Sequence, residues 1–218
     1  MPARVIVLAG PSGAGKSRLA ERLGHRFGWP TLRLDDFYRD GDEADLPRIV
    51  DGANAGLVDW DHPGTWHRED AVAALLELCR TGAADVPVYS LSESRRTGAQ
   101  RLDLGGAPVF CAEGIFAPEV VAACREAGVL EAAYCVTQHR AVTFWRRLTR
   151  DLREHRKPPL VLLRRGLALA RAQRDVVRRA VDAGCRVATG DAAYDEIVAG
   201  HLGPATRSGS ASKRGLAG

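Results

Sequence analysis

The run Gly10-Pro11-Ser12-Gly13-Ala14-Gly15-Lys16-Ser17 constrains this chain more than any other feature. It follows the spacing G-x-x-x-x-G-K-[ST], and its flanks supply the context that spacing requires. Before it stands a short apolar, β-branched segment, residues 4–9 (RVIVLA), which reads as a buried strand of a parallel sheet. After it, Leu19, Ala20, Leu23 and Phe27 recur at helical spacing over residues 16–27. A strand that runs through a glycine-rich turn into a helix directs backbone N–H groups inward, at the positive end of a helix dipole. Such a loop surrounds phosphates, with Lys16 reaching the β- and γ-phosphates and Ser17 placed to ligate Mg²⁺. The eight residues Gly10 to Ser17 are therefore expected to bind ATP or GTP. The competing account, a glycine-rich turn beside a surface lysine, is weakened by the scarcity of that residue: the chain has only Lys16, Lys157 and Lys213.

The rest of the pattern alternates strands with helices. Strands are expected at 31–34, 108–112, 130–136 and 185–188, and helices at 68–81, 117–127, 139–154, 160–183 and 192–202. Two extended arms, Val86 to Leu91 and Gln100 to Leu104, flank a polar turn, and residues 39–67 read as polar and irregular. The expected fold is α/β: a P-loop NTPase-type parallel sheet with helices on both faces, a small β-hairpin acceptor region and an Arg-rich helical lid. At 218 residues the chain suits one domain, residues 1–203, followed by a Ser/Gly/Ala-rich tail at 204–218 expected to be disordered. No apolar run approaches 18 residues, so no membrane span is expected. The five cysteines, at 79, 111, 124, 135 and 185, include no Cys-x-x-Cys pair. Their odd, dispersed set points to reduced thiols and a cytoplasmic protein.

Carboxylates fall where ligands bind in such sheets, at the carboxyl ends of strands. Asp35-Asp36 follows the second strand and could accept a proton from an acceptor hydroxyl, orient it, or hold a metal. An Asx turn or a helix cap would also explain the pair. Glu113 ends the strand PVFCA, where it would support Mg²⁺ or cap the next element. From His139 to Arg186 stand 13 Arg and one Lys against four acidic residues, whereas residues 1–138 carry an excess of acids. Arginines on a lid would neutralise a transferring phosphoryl group, although a solvated helix face accounts for most of them, Arg171, Arg174, Arg178 and Arg179 included. With no aromatic interleaving and no nucleic-acid motif, a nucleic-acid partner is not expected. Trp60, Trp66 and Tyr89 could form a wall for a planar acceptor, and core packing explains Trp29 and Trp145 equally well.

GPSGAGKS, LDDFYRD, DWDHPGTW, VPVYSLSESR, VFCAEGIFAP and RRLTRDLREHR, in that order, resemble the uridine kinase family, P-loop kinases that include phosphoribulokinase and the nicotinamide riboside kinases. The resemblance covers roughly residues 4–157. It implies an ATP- and Mg²⁺-dependent kinase that phosphorylates a hydroxyl of a small molecule, most simply the 5′-hydroxyl of a nucleoside. Asp35 would then be the catalytic base, with Lys16 and Arg150 stabilising the phosphoryl group. Tyr38, Asp61, Tyr89 and Arg147 would contact the acceptor, and Ser17 with Glu113 would hold Mg²⁺. Two departures stand out: Ser90 to Ser94 lacks the family's histidine after the P-V-Y tyrosine, and His155-Arg156-Lys157 replaces its R-G-R pattern. Another riboside, a sugar phosphate or pantothenate as acceptor, or an inactive ATP-binding regulatory module, are the alternatives. A homo-oligomer is compatible with the sequence, and Thr189-Gly190-Asp191 is a candidate adenine contact from its place after the last strand.

Overall fold

A computed structural model describes residues 2–52, 54–138 and 174–202. In chain order the elements are β1 (Arg4–Ala9), α1 (Lys16–Phe27), β2 (Thr31–Arg33), α2 (Arg68–Thr81), β3 (Ala83–Ser90), β4 (Arg95–Asp103), β5 (Val109–Glu113), α3 (Pro118–Glu126), β6 (Leu130–Val136), α4 (the helical residues 174–182), β7 (Arg186–Ala188) and α5 (Gly190–Leu202). Five strands pair in parallel in the order β2-β5-β1-β6-β7. The chain leaves β1 toward β2 on one side and leaves β5 past β1 to β6 on the other, and that reversal opens a crevice at the carboxyl ends of β1 and β5.

Apolar side chains on both faces explain why β1 is central. Val5, Val7 and Ala9 pack on one side with Leu75 and Leu78 of α2 and Val120 and Val121 of α3. Ile6 and Leu8 pack on the other with Leu19 and Leu23 of α1 and Ile197 of α5. Each fully buried Leu, Ile or Val contributes roughly 1.5–3 kcal/mol of transfer free energy, so this double-faced strand anchors the loop that follows it. Helix α1 stops at Gly28, whose left-handed backbone (φ 73°) lets its N–H donate to the Gly24 carbonyl at 2.8 Å. Helix α2 carries Glu69 and Asp70 in its first turn and Arg80 in its last, complementing its dipole.

Two elements differ from the sequence expectation. The second strand ends at Arg33, and Leu34–Phe37 winds into a 3₁₀ turn that buries Leu34, Asp36 and Phe37. The hairpin is longer than expected, its strands reaching Ser90 and resuming at Arg95, with a turn of four residues. Strand β4 has almost no buried side chain, so it lacks the alternation that reveals a strand; its order comes from antiparallel pairing with β3. The helix expected over 139–154, most of that over 160–183, and the tail at 204–218 lie outside the described residues. All five cysteines are free and buried, and burial pushes the thiols of Cys111, Cys124 and Cys185 up to about 12. No helix among the described residues is long and apolar enough to cross a membrane.

Candidate active site

The glycine-rich loop joins β1 to α1 as its pattern demands. At Gly10 the backbone has φ 133°, and a Cβ there would stand 2.3 Å from the Val136 carbonyl oxygen, so β6 leaves room for glycine alone. Gly15, also left-handed (φ 100°), turns the chain into α1. Lys16 is buried, with its Nζ donating to the carbonyls of Gly10 at 2.9 Å and Pro11 at 3.3 Å. Among the described residues no carboxylate forms an ion pair with it. A buried ammonium whose hydrogen bonds go to carbonyl oxygens can take an anion as a stronger partner.

Strand register brings the carboxylates to this loop. Glu113 ends β5 level with Leu8 of β1 on one side and Arg33 of β2 on the other. It is buried, and its Oε1 accepts the Ser17 hydroxyl at 3.1 Å. Burial holds its carboxyl above the usual glutamate range; Lys16 and the Ser17 hydrogen bond oppose that effect, and Asp35 reinforces it. Asp35 sits in the 3₁₀ turn after β2, where its Oδ1 accepts the Ile115 N–H at 3.0 Å. A Cβ on Gly114 would lie 2.8 Å from that oxygen and 2.9 Å from the Leu34 Cβ. The glycine between Glu113 and Ile115 thus lets the turn press against the end of β5.

The two neighbouring aspartates have different surroundings. Asp36 points inward, 5% exposed, and is 3.7 Å from the Arg33 guanidinium, with a backbone hydrogen bond from Tyr89. Burial raises its pKa; Arg33 opposes the shift and Asp35 adds to it. It ties β3 to the 3₁₀ turn and leaves Asp35 at the sheet edge.

On the acceptor side the aromatic residues divide. Tyr38 is the hub: its ring meets Trp60 edge-on at 5.6 Å, Tyr89 at 5.7 Å and Phe116 at 5.7 Å, and its hydroxyl donates to the Trp60 carbonyl at 3.2 Å. Burial, with Asp35 and Asp61 nearby, raises its pKa far above the ordinary phenol value, so it remains a neutral donor. The Tyr89 hydroxyl donates to the Arg39 carbonyl at 3.0 Å; burial, Asp40 and Glu43 push its pKa up to about 12. Trp66 belongs to the core, its Nε1 donating to the Leu34 carbonyl at 2.7 Å. Trp29 stacks on Phe27 at 4.3 Å, also in the core. Trp60 alone of these tryptophans stays half-buried beside the site.

Asp61 follows Trp60 directly, and its carbonyl accepts from Arg179 of α4 at 3.5 Å. The charge pattern assigns Arg179 to a solvated face, and the structure corrects that. The available signal was its place three residues after Val176 and one before Ala180, both buried, on the inner edge of α4. His62 accepts the Gly64 N–H at 3.0 Å and packs the loop. Thr189 accepts the Ala192 N–H at 3.2 Å, and Asp191 pairs with Arg22 at 2.6 Å, so both have structural partners. Arg147 and Arg150 lie outside the described residues. No three His, Cys, Asp or Glu side chains converge as a metal cage among the described residues. The Ser17–Glu113 pair suits an ion whose other ligands come from phosphate and water, as Mg²⁺ prefers.

Residues 5–157 match the phosphoribulokinase/uridine kinase family. A uridine kinase from Shewanella pealeana is 31% identical over 157 residues, 69% of this chain and 70% of that protein. A uridine kinase from Schizosaccharomyces pombe is 32% identical over 117 residues, 52% of this chain and 25% of that protein. A crystal structure from Silicibacter sp. TM1040, provisionally named a fructose transport system kinase, superposes with a TM-score of 0.58 at 20% identity, covering 87% of this chain and 88% of that one. At that identity it supports the fold, which the parallel sheet and phosphate loop already display. The loop, the carboxylates at the strand ends and these relatives agree: this chain belongs to the phosphoribulokinase/uridine kinase family, phosphotransferases that act on an alcohol acceptor.

Proposed function

We propose that this kinase transfers the γ-phosphoryl group of ATP to a hydroxyl of a small molecule, and that the acceptor is a nucleoside phosphorylated at its 5′-hydroxyl. The observation that carries the reading is the meeting of two carboxylates across Gly114, with Glu113 bonded to Ser17 of the phosphate loop and Asp35 held by the Ile115 N–H. The uridine kinases among its relatives support a nucleoside acceptor.

The residues present suit Mg·ATP. The loop excludes a side chain at Gly10, Lys16 is buried and forms no ion pair among the described residues, and Ser17 with Glu113 forms a hydroxyl–carboxylate pair. When bound, Mg·ATP supplies the phosphoryl group and a divalent charge. The N–H groups from Gly10 to Ser17, through Pro11, Ser12, Gly13, Ala14 and Gly15, hold the phosphates, proline contributing shape only. Lys16 exchanges its carbonyl contacts for phosphate oxygens. Ser17 and Glu113 would hold the metal, whose divalent charge would favour the ionised carboxylate of Glu113.

Asp35 has Oδ1 engaged by Ile115, which leaves Oδ2 to take the proton of the acceptor hydroxyl. Asp61 grips the acceptor's sugar hydroxyls, and the Tyr38–Trp60 hydrogen bond fixes the chain just before it. Tyr38 and Tyr89 close the acceptor side, with Arg147 touching substrate and Arg150 the phosphoryl group. An Asp35→Asn variant should bind ATP nearly as the parent does while turnover falls roughly 10²–10⁴-fold. A screen of nucleosides with Mg·ATP tests the reading, and full turnover in Asp35→Asn would overturn it.

A further inference from the structure

Beyond Trp60 the acceptor loop and the hairpin turn enclose a cleft of about 530 Å³. Ile49, Leu57, Val58 and the Trp60 ring make an apolar wall, and Asp42, Glu93 and Arg95 line it as charged groups. Its shape is set by backbone contacts. The Gly41 N–H donates to the Ser94 carbonyl at 2.7 Å, and the Arg96 N–H donates to Asp40 Oδ1 at 2.6 Å. A Cβ on Gly41 would stand 3.0 Å from the Ser94 Cβ, and Ser94 is the one non-glycine described residue with a left-handed backbone, φ 52°. A loop held this closely forms its cavity before any ligand arrives. The cleft adjoins the proposed reaction site through Trp60, which packs on Tyr38 and precedes Asp61.

The loop that forms one wall of the cleft is one-sided in charge, and the lining carries two carboxylates against one guanidinium. Between Asp35 and His62 nine carboxylates stand against two guanidinium groups, Arg39 and Arg48. Both are already engaged: Arg39 by Glu43 at 2.8 Å and by Asp45, Arg48 by the Gly56 carbonyl at 2.8 Å. Asp42 and Glu93 form no ion pair among the described residues, and Arg95 is the single cation lining the cleft. Asp42 lies outside the motifs that carry the family resemblance, and Glu93 falls in the stretch Ser90 to Ser94 where the chain departs from the family.

We propose that Asp42 and Glu93 act as a charge filter: the cleft takes the flat, uncharged or cationic end of the acceptor against Trp60 and rejects an acceptor that carries a phosphate or carboxylate there. This rests on the phosphotransfer reading and sharpens it, because it excludes sugar phosphates, one of the acceptor classes that the phosphate loop and the carboxylates leave open. An indole face favours planar and cationic groups, and unneutralised carboxylates repel anions over a distance set by the ionic strength.

The test measures ATP turnover at low ionic strength with matched acceptors, a nucleoside and the same nucleoside bearing a ring carboxylate. The parent enzyme should prefer the neutral member by more than about tenfold in kcat/KM, and added salt should narrow the gap. In the double variant Asp42→Asn, Glu93→Gln the preference should shrink roughly five- to tenfold, through better use of the carboxylate-bearing acceptor. Equal use of both acceptors by the parent, or an unchanged preference in the double variant, would overturn the filter and leave the kinase reading intact. If ATP binds and no acceptor is phosphorylated, the kinase reading fails. The filter is then read from the change in tryptophan fluorescence on adding each nucleoside, where an equal or absent response overturns it.

Discussion

The phosphate side and the acceptor side of this site meet at the carboxyl edge of one sheet and are built in opposite ways. On the phosphate side one continuous segment, Gly10 to Ser17, supplies main-chain donors, anchored by a strand buried on both faces. On the acceptor side no regular element longer than a 3₁₀ turn lies between Leu34 and Arg68 among the described residues. Side chains hold that region instead: Tyr38 to the Trp60 carbonyl, Tyr89 to the Arg39 carbonyl and Arg39 to Glu43. A site made of main chain depends on φ, ψ and the absence of Cβ atoms, so it tolerates little change. A site made of side chains can be re-aimed one residue at a time, which suits the half of a kinase that must distinguish acceptors.

The sharpest way to break this contrast is at Lys16. Lys16→Ala should abolish stable ATP binding and reduce turnover by roughly 10²-fold or more, since it removes the buried cation facing the phosphates. Equilibrium nucleotide binding checks it, and retained tight binding would show that the loop amides suffice alone.

Glu113 comes next, and its effect has two opposite signs. Glu113→Gln keeps an acceptor for the Ser17 hydroxyl but removes the charge, so turnover should fall roughly 10²-fold and the Mg²⁺ requirement should rise. Without ligand the same change should stabilise the fold. The carboxyl of the folded chain titrates above its ordinary value of 4.5 because burial disfavours its charged form. Its contribution to stability is therefore complete below that value and is lost as pH rises through the folded pKa. Thermal melts of parent and variant should diverge as pH rises from near 4.5, the variant melting higher. Superimposable melts across that range would show that Glu113 is not held in the desolvated state that burial implies.

Asp36 tests the border between the two sides. Asp36→Ala removes the group that accepts the Tyr89 N–H and faces the exposed Arg33 guanidinium, leaving the buried Tyr89 N–H without its acceptor. A buried donor left without its acceptor typically costs about 1–3 kcal/mol. Asp36→Asn, which preserves an acceptor oxygen, should recover much of that loss. Chemical denaturation of the pair measures the difference, and equal stability in both variants would mean that the hydrogen bond to β3 matters little.

What the sequence discloses follows the same division. The phosphate loop is legible because its chemistry lies in consecutive residues, and β1, α1 and α2 because their apolar spacing is unbroken. Asp35 and Glu113 are legible as strand-end carboxylates. Their juxtaposition is not, since it depends on Gly114 allowing a turn 80 residues earlier to close on the Ile115 N–H. The two aspartates of Asp35-Asp36 are also indistinguishable by composition; only the 3₁₀ turn sends one inward and leaves the other at the edge. Strand β4 escapes notice because nearly all its side chains are exposed. Trp60, Trp66 and Tyr89 look alike as candidate wall residues until packing separates them.

Arg179 gives the smallest expected effect and the finest probe of the acceptor side. Helix α4 is fixed by Val176 and Ala180 in the core and by Arg125, which donates to the Ala183 carbonyl at 3.3 Å just beyond the helix. From that support Arg179 reaches 118 residues back to the Asp61 carbonyl at 3.5 Å, the outer limit of a hydrogen bond. It is a positioning residue in this reading, acting on the acceptor through Asp61. Arg179→Ala should raise the acceptor KM roughly three- to tenfold, the loss of a hydrogen bond worth about 0.5–1.5 kcal/mol. The KM for ATP and the melting temperature should barely move, because the helix keeps its core contacts. Arg179→Lys should restore part of the acceptor affinity, whereas equal changes in both KM values would make α4 a general support of the fold and not a strut of the acceptor loop.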